Sequence, residues 1–211
     1  MALTIDTLVL GPLETNCYVL RSEGDCWVVD PGMMPQALLK FLDDQKASPT
    51  RILLTHGHAD HIAGVDEVTG AFPDAIVCCP AADAHMFSDA DANMSRPFGL
   101  TLTAEPADEL VGPGQLLLLG TSEWNILDTS GHTPGGVSYY CRSEAVVLTG
   151  DALFAGSIGR TDIPGASSSR LLRNIETELL CLPEHTRVLA GHGPETTVGA
   201  EKQGNPFFCD R

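Results

Sequence analysis

Basic residues are scarce in this chain of 211: 12 Lys and Arg stand against 28 Asp and Glu, leaving a net charge of −16. A nucleic-acid binder needs cations to neutralise phosphates and release counterions, so this balance argues against a nuclease or any polyanionic partner. The acids are scattered rather than blocked into a tail, and solubility accounts for most of them. Long apolar runs are missing too. Nothing approaches the roughly eighteen residues that a membrane-spanning helix needs, so no membrane partner is expected. The first twenty residues lack a basic start and a small-residue cleavage site, and no signal peptide is expected. The seven cysteines, at 17, 26, 78, 79, 141, 181 and 209, are odd in number and form no spaced framework. Disulfide staples are not expected, and the setting should be reducing and cytoplasmic. Cys17, Cys78 and Cys79 sit in strand-like surroundings and read as small core hydrophobes. Short-period repeats and low-complexity segments are also absent.

Apolar material is sufficient. With 43% hydrophobic residues, the chain can bury a full core, and one domain over residues 1–211 is expected. Strand-type runs occur at Thr4–Leu10, Cys17–Leu20 and Cys26–Val29, each bounded by Gly, Pro, Asn or Asp. After Asp30-Pro31-Gly32, the stretch Pro35–Gln45 places Ala37, Leu38, Phe41 and Leu42 at helical spacing. Arg51–Thr55 reads as a short buried strand, His61–Gly70 as a helix, and Ile76–Cys79 as a strand ending at Pro80. This β-α-β order implies parallel pairing. From Asp83 to Gly112 no period is strong, and one short helix within a long loop is expected. Strands return at Gln115–Leu119, Trp124–Leu127, Val137–Tyr140 and Ala145–Leu148, followed by a Gly-rich loop from Gly156 to Ser169. A helix over Leu171–Leu180, capped by Ser168 or Ser169, and a strand at Arg187–Ala190 close the pattern. The repeated order suggests two similar β/α halves, sheets inside and helices outside.

The densest signal is Thr55-His56-Gly57-His58-Ala59-Asp60-His61, at the end of a strand and the start of a helix. Residues two apart in extended backbone point the same way, so His56 and His58 can share one metal ion. Asp60 and His61, at the turn into the helix, face a neighbouring position. Imidazole and carboxylate suit Zn, Fe or Mn, each wanting about three protein ligands with one position open for catalysis. Three further candidates follow strands and sit beside glycine: Ser130-Gly131-His132, Thr149-Gly150-Asp151 and Ala190-Gly191-His192. The assignment is His56, His58 and His132 on one ion, Asp60, His61 and His192 on a second, and Asp151 bridging them. An isolated His after Gly is usually a loop or core residue, but an apolar strand end gains nothing from three clustered imidazoles. His85 and His185 lack this context and are read as non-ligands.

In these residues the chain resembles the metallo-β-lactamase superfamily, whose motifs run Asp, His-x-His-x-Asp-His, His, Asp, His; here they are Asp30, His56 to His61, His132, Asp151 and His192. The resemblance covers nearly the whole chain. It implies an α/β fold, a four-layer αββα sandwich of two mixed sheets flanked by helices, with the site at one edge. Among its members the chain is most similar to single-domain glyoxalase II-like hydrolases, through Gly11-Pro12, Asn16-Cys17-Tyr18, Val29-Asp30-Pro31-Gly32, Gly131 to Gly135, Gly150 to Phe154, Gly159-Arg160-Thr161-Asp162, Gly191 to Pro194 and Gly204 to Phe207. The implied activity is hydrolysis of a small thioester, glutathione-derived as in S-lactoylglutathione. Its implied cofactor is a pair of divalent ions, zinc first, with iron or manganese as alternatives, and Asp60 and Asp151 are its catalytic carboxylates.

The chain departs from two-domain glyoxalase II enzymes, which carry a basic, helical C-terminal region that is not expected here. Their Lys and Tyr beyond the bridging Asp correspond to Arg160 and Asp162. Arg160 is read as a fork for a substrate carboxylate, oriented by Asp162, against the alternative of an ordinary surface ion pair. Asp30 has two readings, a carboxylate that orients a ligating imidazole or simply the start of a turn. A competing function is a persulfide dioxygenase of the same fold, with one Fe(II) on His56, His132 and Asp151. A third, a non-catalytic binding module, has no use for a complete open two-metal ligand set.

Overall fold

Alternation along the strands sets the layering. In β3 (Asp25–Val29), Trp27 and Val29 enter one apolar cluster and Val28 another. In β10 (Val146–Gly150), Val146 and Leu148 are likewise separated from Val147. Successive strand residues face opposite ways, so strands that are apolar throughout must be covered on both sides.

The computed structural model, which describes residues 3–209, meets that demand with two six-stranded sheets. The first runs β1 (Thr4–Leu10), β2 (Thr15–Ser22), β3, β4 (Arg51–Leu53), β5 (Ile76–Pro80) and β6 (Glu109–Val111). Its first two pairings are antiparallel and the rest parallel. The second runs β14 (Thr196–Thr197), β13 (Arg187–Ala190), β10, β9 (Val137–Cys141), β8 (Ser122–Asp128) and β7 (Leu116–Leu119), parallel only where β10 meets β13. A small hairpin of β11 (Leu153–Phe154) and β12 (Ser157–Ile158) follows β10.

Three apolar layers lie between four structural ones. Helices α1 (Gln36–Gln45), α2 (Ala59–Ile62) and α3 (Val65–Ala71) set Leu38, Leu42, Ile62 and Val68 against Val19, Val28, Ile52 and Val77 of the first sheet. Between the sheets, Trp27, Leu53 and Cys78 meet Trp124, Ile126, Tyr139 and Leu148, with the two indole rings 6.2 Å apart. On the far side, α4 (Ser168–Asn174), the π-helical turn Ile175–Leu179 that continues it, and α5 (Val198–Gly204) bring Leu171, Ile175, Leu179 and Val198 onto Tyr140, Val147 and Val188. This is the expected αββα sandwich of two mixed sheets. Cys17, Cys78 and Cys79 are fully buried within it. No helix among the described residues is long and apolar enough to cross a membrane.

Local differences from the expected elements have tertiary causes. The helix expected over His61–Gly70 begins at Ala59 and breaks after Ile62, because Gly64 passes under the Pro31-Gly32 turn and donates its N–H to the Pro31 carbonyl at 2.8 Å. Strand β4 stops before Thr55, whose N–H is taken by the Asp30 carboxylate at 2.8 Å. The stretch 83–112 holds two 3-10 turns, Ala81–Phe87 and Arg96–Phe98, plus β6 as an added edge strand. Strand β12 lies in the expected Gly-rich loop. Helix α4 is capped by Ser167 rather than Ser168 or Ser169, its hydroxyl accepting the Arg170 N–H at 3.4 Å.

A Cβ on Gly64 would lie 2.6 Å from the Gly32 carbonyl oxygen and 2.7 Å from that of Pro31. Gly64→Ala should therefore destabilise the fold by about 1–3 kcal/mol through overpacking, seen as a lower urea midpoint with an unchanged m value.

Candidate metal centre

The seven candidate ligands leave the two sheets at one end. His56 and His58 lie on the loop after β4, Asp60 and His61 in α2, and His132 on the loop between β8 and β9. Asp151 follows β10 and His192 follows β13. These strands are parallel neighbours with Gly150 paired to Ala190, so Asp151 and His192 emerge side by side. Gly191 makes that closeness tolerable: a Cβ there would run into the Asp151 carboxylate and lie 2.8 Å from His61 Cε1.

The ring nitrogens converge. His58 Nδ1 lies 3.1 Å from His56 Nε2 and 2.9 Å from His132 Nε2. Beside this triad, Asp60 Oδ2 is 3.2 Å from His192 Nε2 and 3.6 Å from His61 Nε2. Asp151 stands between: Oδ1 is 3.4 Å from His61 Nε2, while Oδ2 is 3.6 Å from both His132 Nε2 and His192 Nε2. Three sets of donor atoms, each spanning no more than 4.8 Å, could hold an ion: His56, His58 and His132; His56, His61 and Asp151; Asp60, His61 and His192. All seven expected residues thus meet, whereas His85 and His185 are exposed and belong to none of these sets.

Outer hydrogen bonds orient the rings. Asp30 Oδ2 accepts from His61 Nδ1 at 2.9 Å and from the Thr55 hydroxyl at 2.7 Å. With its proton committed to Asp30, the Thr55 oxygen accepts from His56 Nδ1 at 3.1 Å. His132 Nδ1 donates to the Arg160 carbonyl at 2.8 Å. These contacts fix which nitrogen of each ring faces inward, Nε2 for His56, His61 and His132, while His58 presents Nδ1. Asp30 serves both readings, since it also turns the chain at a φ of 52°.

Further polar residues brace the site from outside. The Thr15 hydroxyl donates to Asp60 Oδ2 at 3.2 Å. Asn16 and Tyr18 donate to the Ala190 carbonyl at 3.0 and 2.6 Å, fixing the strand end that carries His192. Asp83 accepts from Gly57, Thr133 and Gly135. Sequence reasoning missed Thr15 and Asp83, which carry no pattern; Asn16 and Tyr18 entered only through the family motif.

Burial and the neighbouring imidazoles push His56 far below its ordinary pKa. The same burial, with His132 beside it, brings His58 down to about 3. Both rings stay neutral, as ligands must be. Burial opposes charge on Asp60 and Asp151 as well, but the surrounding imidazoles outweigh it and hold both below the usual carboxylate range. His61 is raised because Asp60, Asp30 and Asp151 outweigh its burial. His61 Nε2 and Asp151 Oδ1 are nevertheless buried without a hydrogen-bond partner. Such orphaned atoms cost about 1–3 kcal/mol each, and bound cations would satisfy them; the residues present fit a two-ion centre.

The centre opens into a cleft of about 700 Å³. Its floor is His58, Asp60, His132, Asp151 and His192, and its walls include Leu13, Met33, Phe98, Leu100 and Ile163. Arg160 also lines it, exposed, with Nε and Nη2 paired to the two Asp162 oxygens at 2.8 and 2.9 Å.

The sequence profile of the metallo-beta-lactamase superfamily matches residues 10–192. The chain is 42% identical to the "Probable metallo-hydrolase YqgX" of Bacillus subtilis over 200 residues, 94% of each chain. It is 32% identical to the "Hydroxyacylglutathione hydrolase GloC" of Haemophilus influenzae over 209 residues, 98% of each. Among solved structures, the BLEG-1 B3 metallo-beta-lactamase superposes with a TM-score of 0.93 at 41% identity, covering 98% of this chain and 100% of that one. TTHA1623 in a di-iron-bound form does so at 0.87 and 37%, covering 96% and 100%.

Chelation tests the centre directly. Removing ions should lower the melting temperature, and an ion restored to 100 times its Kd should return about 2.7 kcal/mol. Identical melting with and without chelator would show that these donors hold nothing.

Proposed function

Since the chain belongs to the metallo-beta-lactamase superfamily, we propose that it is a metal-dependent hydrolase of small thioesters, with S-lactoylglutathione as its test substrate. His56, His58 and His132 would hold one ion, Asp60, His61 and His192 the other, and Asp151 would bridge them. Zinc is the first choice, with iron or manganese as alternatives. The carrying observation is the placement of Asp151 between two histidine groups at the floor of an open cleft. When bound, such ions supply Lewis acidity that lowers the pKa of water from about 15.7 to about 7.

The chain's own residues would do the rest. Asp60 and Asp151, both held ionised, accept hydrogen bonds and orient the attacking water; Thr15 keeps the Asp60 carboxylate in place. The apolar wall of Leu13, Phe98 and Leu100 shields the reacting carbonyl from bulk solvent. Arg160, presented at the mouth by Asp162, would turn its fork to a substrate carboxylate. Among the described residues, no Lys or Tyr lines the cleft to protonate a leaving group. A thiolate, with a pKa of about 8.5, departs without one. The similarity to GloC supports this reading. We further take residues 1–211 as one domain working in a reducing, cytoplasmic setting, in keeping with its free cysteines.

Likeness to BLEG-1 favours a second reading, β-lactam hydrolysis. An amine leaving group, unlike a thiolate, needs a proton on departure, which makes the thioester the less demanding substrate. Likeness to a di-iron protein keeps iron in play as the metal; a persulfide dioxygenase of the same fold, with one Fe(II) on His56, His132 and Asp151, is the third reading.

Metal content per chain, with aerobic and anaerobic assays on S-lactoylglutathione, a chromogenic cephalosporin and glutathione persulfide, separates the three. Two ions with oxygen-independent thiol release is the expected result; a single iron with oxygen uptake would overturn it. His58→Ala should abolish turnover, while Arg160→Ala should raise KM about tenfold or more with kcat little changed.

A further inference from the structure

We infer that Asp83 is a positioning residue for the metal centre, its carboxylate tying together the two loops that carry His56, His58 and His132. The inference rests on the ligand assignment proposed above.

Asp83 is fully buried, and among the described residues no Lys or Arg pairs with it. A buried carboxylate without a cation is costly unless its oxygens are met by well-placed donors. Here the donors come from two separate loops. Oδ2 accepts the Gly57 N–H at 3.1 Å and the Thr133 hydroxyl at 2.6 Å; Oδ1 accepts the Gly135 N–H at 2.6 Å. Gly57 sits between His56 and His58, and Thr133 adjoins His132. One carboxylate therefore sets the spacing between the two loops that bring three ring nitrogens together.

Packing enforces the same registration. A Cβ on Gly57 would lie 2.7 Å from Met86 Sδ, and one on Gly135 would lie 2.8 Å from Asp83 N. The 3-10 turn Ala81–Phe87, to which Asp83 and Met86 belong, thus presses against both loops. Asn93 extends the clasp: its carbonyl accepts the Ala59 N–H at 2.8 Å and its side chain donates to the Met86 carbonyl at 3.0 Å. Among the described residues, Asp83 makes no hydrogen bond to an imidazole. It acts through loop backbone, and its influence should fall on the triad and spare Asp60, His61 and His192.

The test is zinc titration of the full chain against a competing chromophoric chelator, the two binding steps identified by His58→Ala and His192→Ala. In Asp83→Asn, the first-site Kd should rise by about 10- to 100-fold while the second changes less than about threefold. Thr133→Val should reproduce a weaker form of this effect and Thr133→Ser should restore wild-type affinity. If Asp83→Asn fails to fold, the Thr133 pair decides. Equal weakening of both steps, or a lower melting temperature of the metal-free chain with both Kd values unchanged, would overturn the inference. A wild-type chain that binds no ion would overturn the proposed function along with it; two ions bound normally in every variant would overturn the inference alone.

Discussion

The structure depends on keeping unprotonated ring nitrogens and carboxylates crowded together in a buried space. Left to themselves, groups that are all acceptors on their inner side repel, and water would be preferred to such company. The chain counters dispersal by holding four of the seven groups with hydrogen bonds. Asp30 holds His61 and, through Thr55, His56; the Arg160 carbonyl holds His132; Thr15 holds Asp60. On the three rings these contacts use the outer nitrogen and leave the inner one free, while Thr15 reaches the same Asp60 oxygen that faces His61 and His192. The geometry of the centre is thus a property of its surroundings.

The sandwich supplies those surroundings at low cost because the gripping groups leave the same sheet ends as the groups they grip. Asp30 follows β3, next to the β4 strand that precedes Thr55 and His56. Asp151 and His192 follow neighbouring parallel strands. Apolar layers lock the strands, and the polar ends inherit that rigidity. The helix break at Gly64 belongs to the same design, since it lets the Pro31-Gly32 turn lie against the helix that carries Asp60 and His61.

Much of this was legible in the sequence, for identifiable reasons. Alternating and continuous apolar runs exposed most of the strands, and the cluster from His56 to His61 has no bland structural use. His132, Asp151 and His192 stood out through their shared glycine context after strands. Family motifs added the layered architecture. What stayed hidden depends on approach in space. Asp83 looked like any acid in an aperiodic stretch, and only the meeting of Gly57, Thr133 and Gly135 reveals it. Thr15 is far from Asp60 in sequence. The helix break, the edge strand β6 and the two-residue strand β14 arise from contacts too short or too distant for periodicity to register.

Asn16 donates to the carbonyl of Ala190, 174 positions further along the chain. The early strand β2 and the late strand β13 therefore finish one another. A chain emerging from the ribosome carries its first histidines through most of its synthesis before the last can join them. Until β13 docks, the nascent protein can gather His56, His58 and His132 but lacks His192, so the set that joins Asp60 and His61 is the last to close.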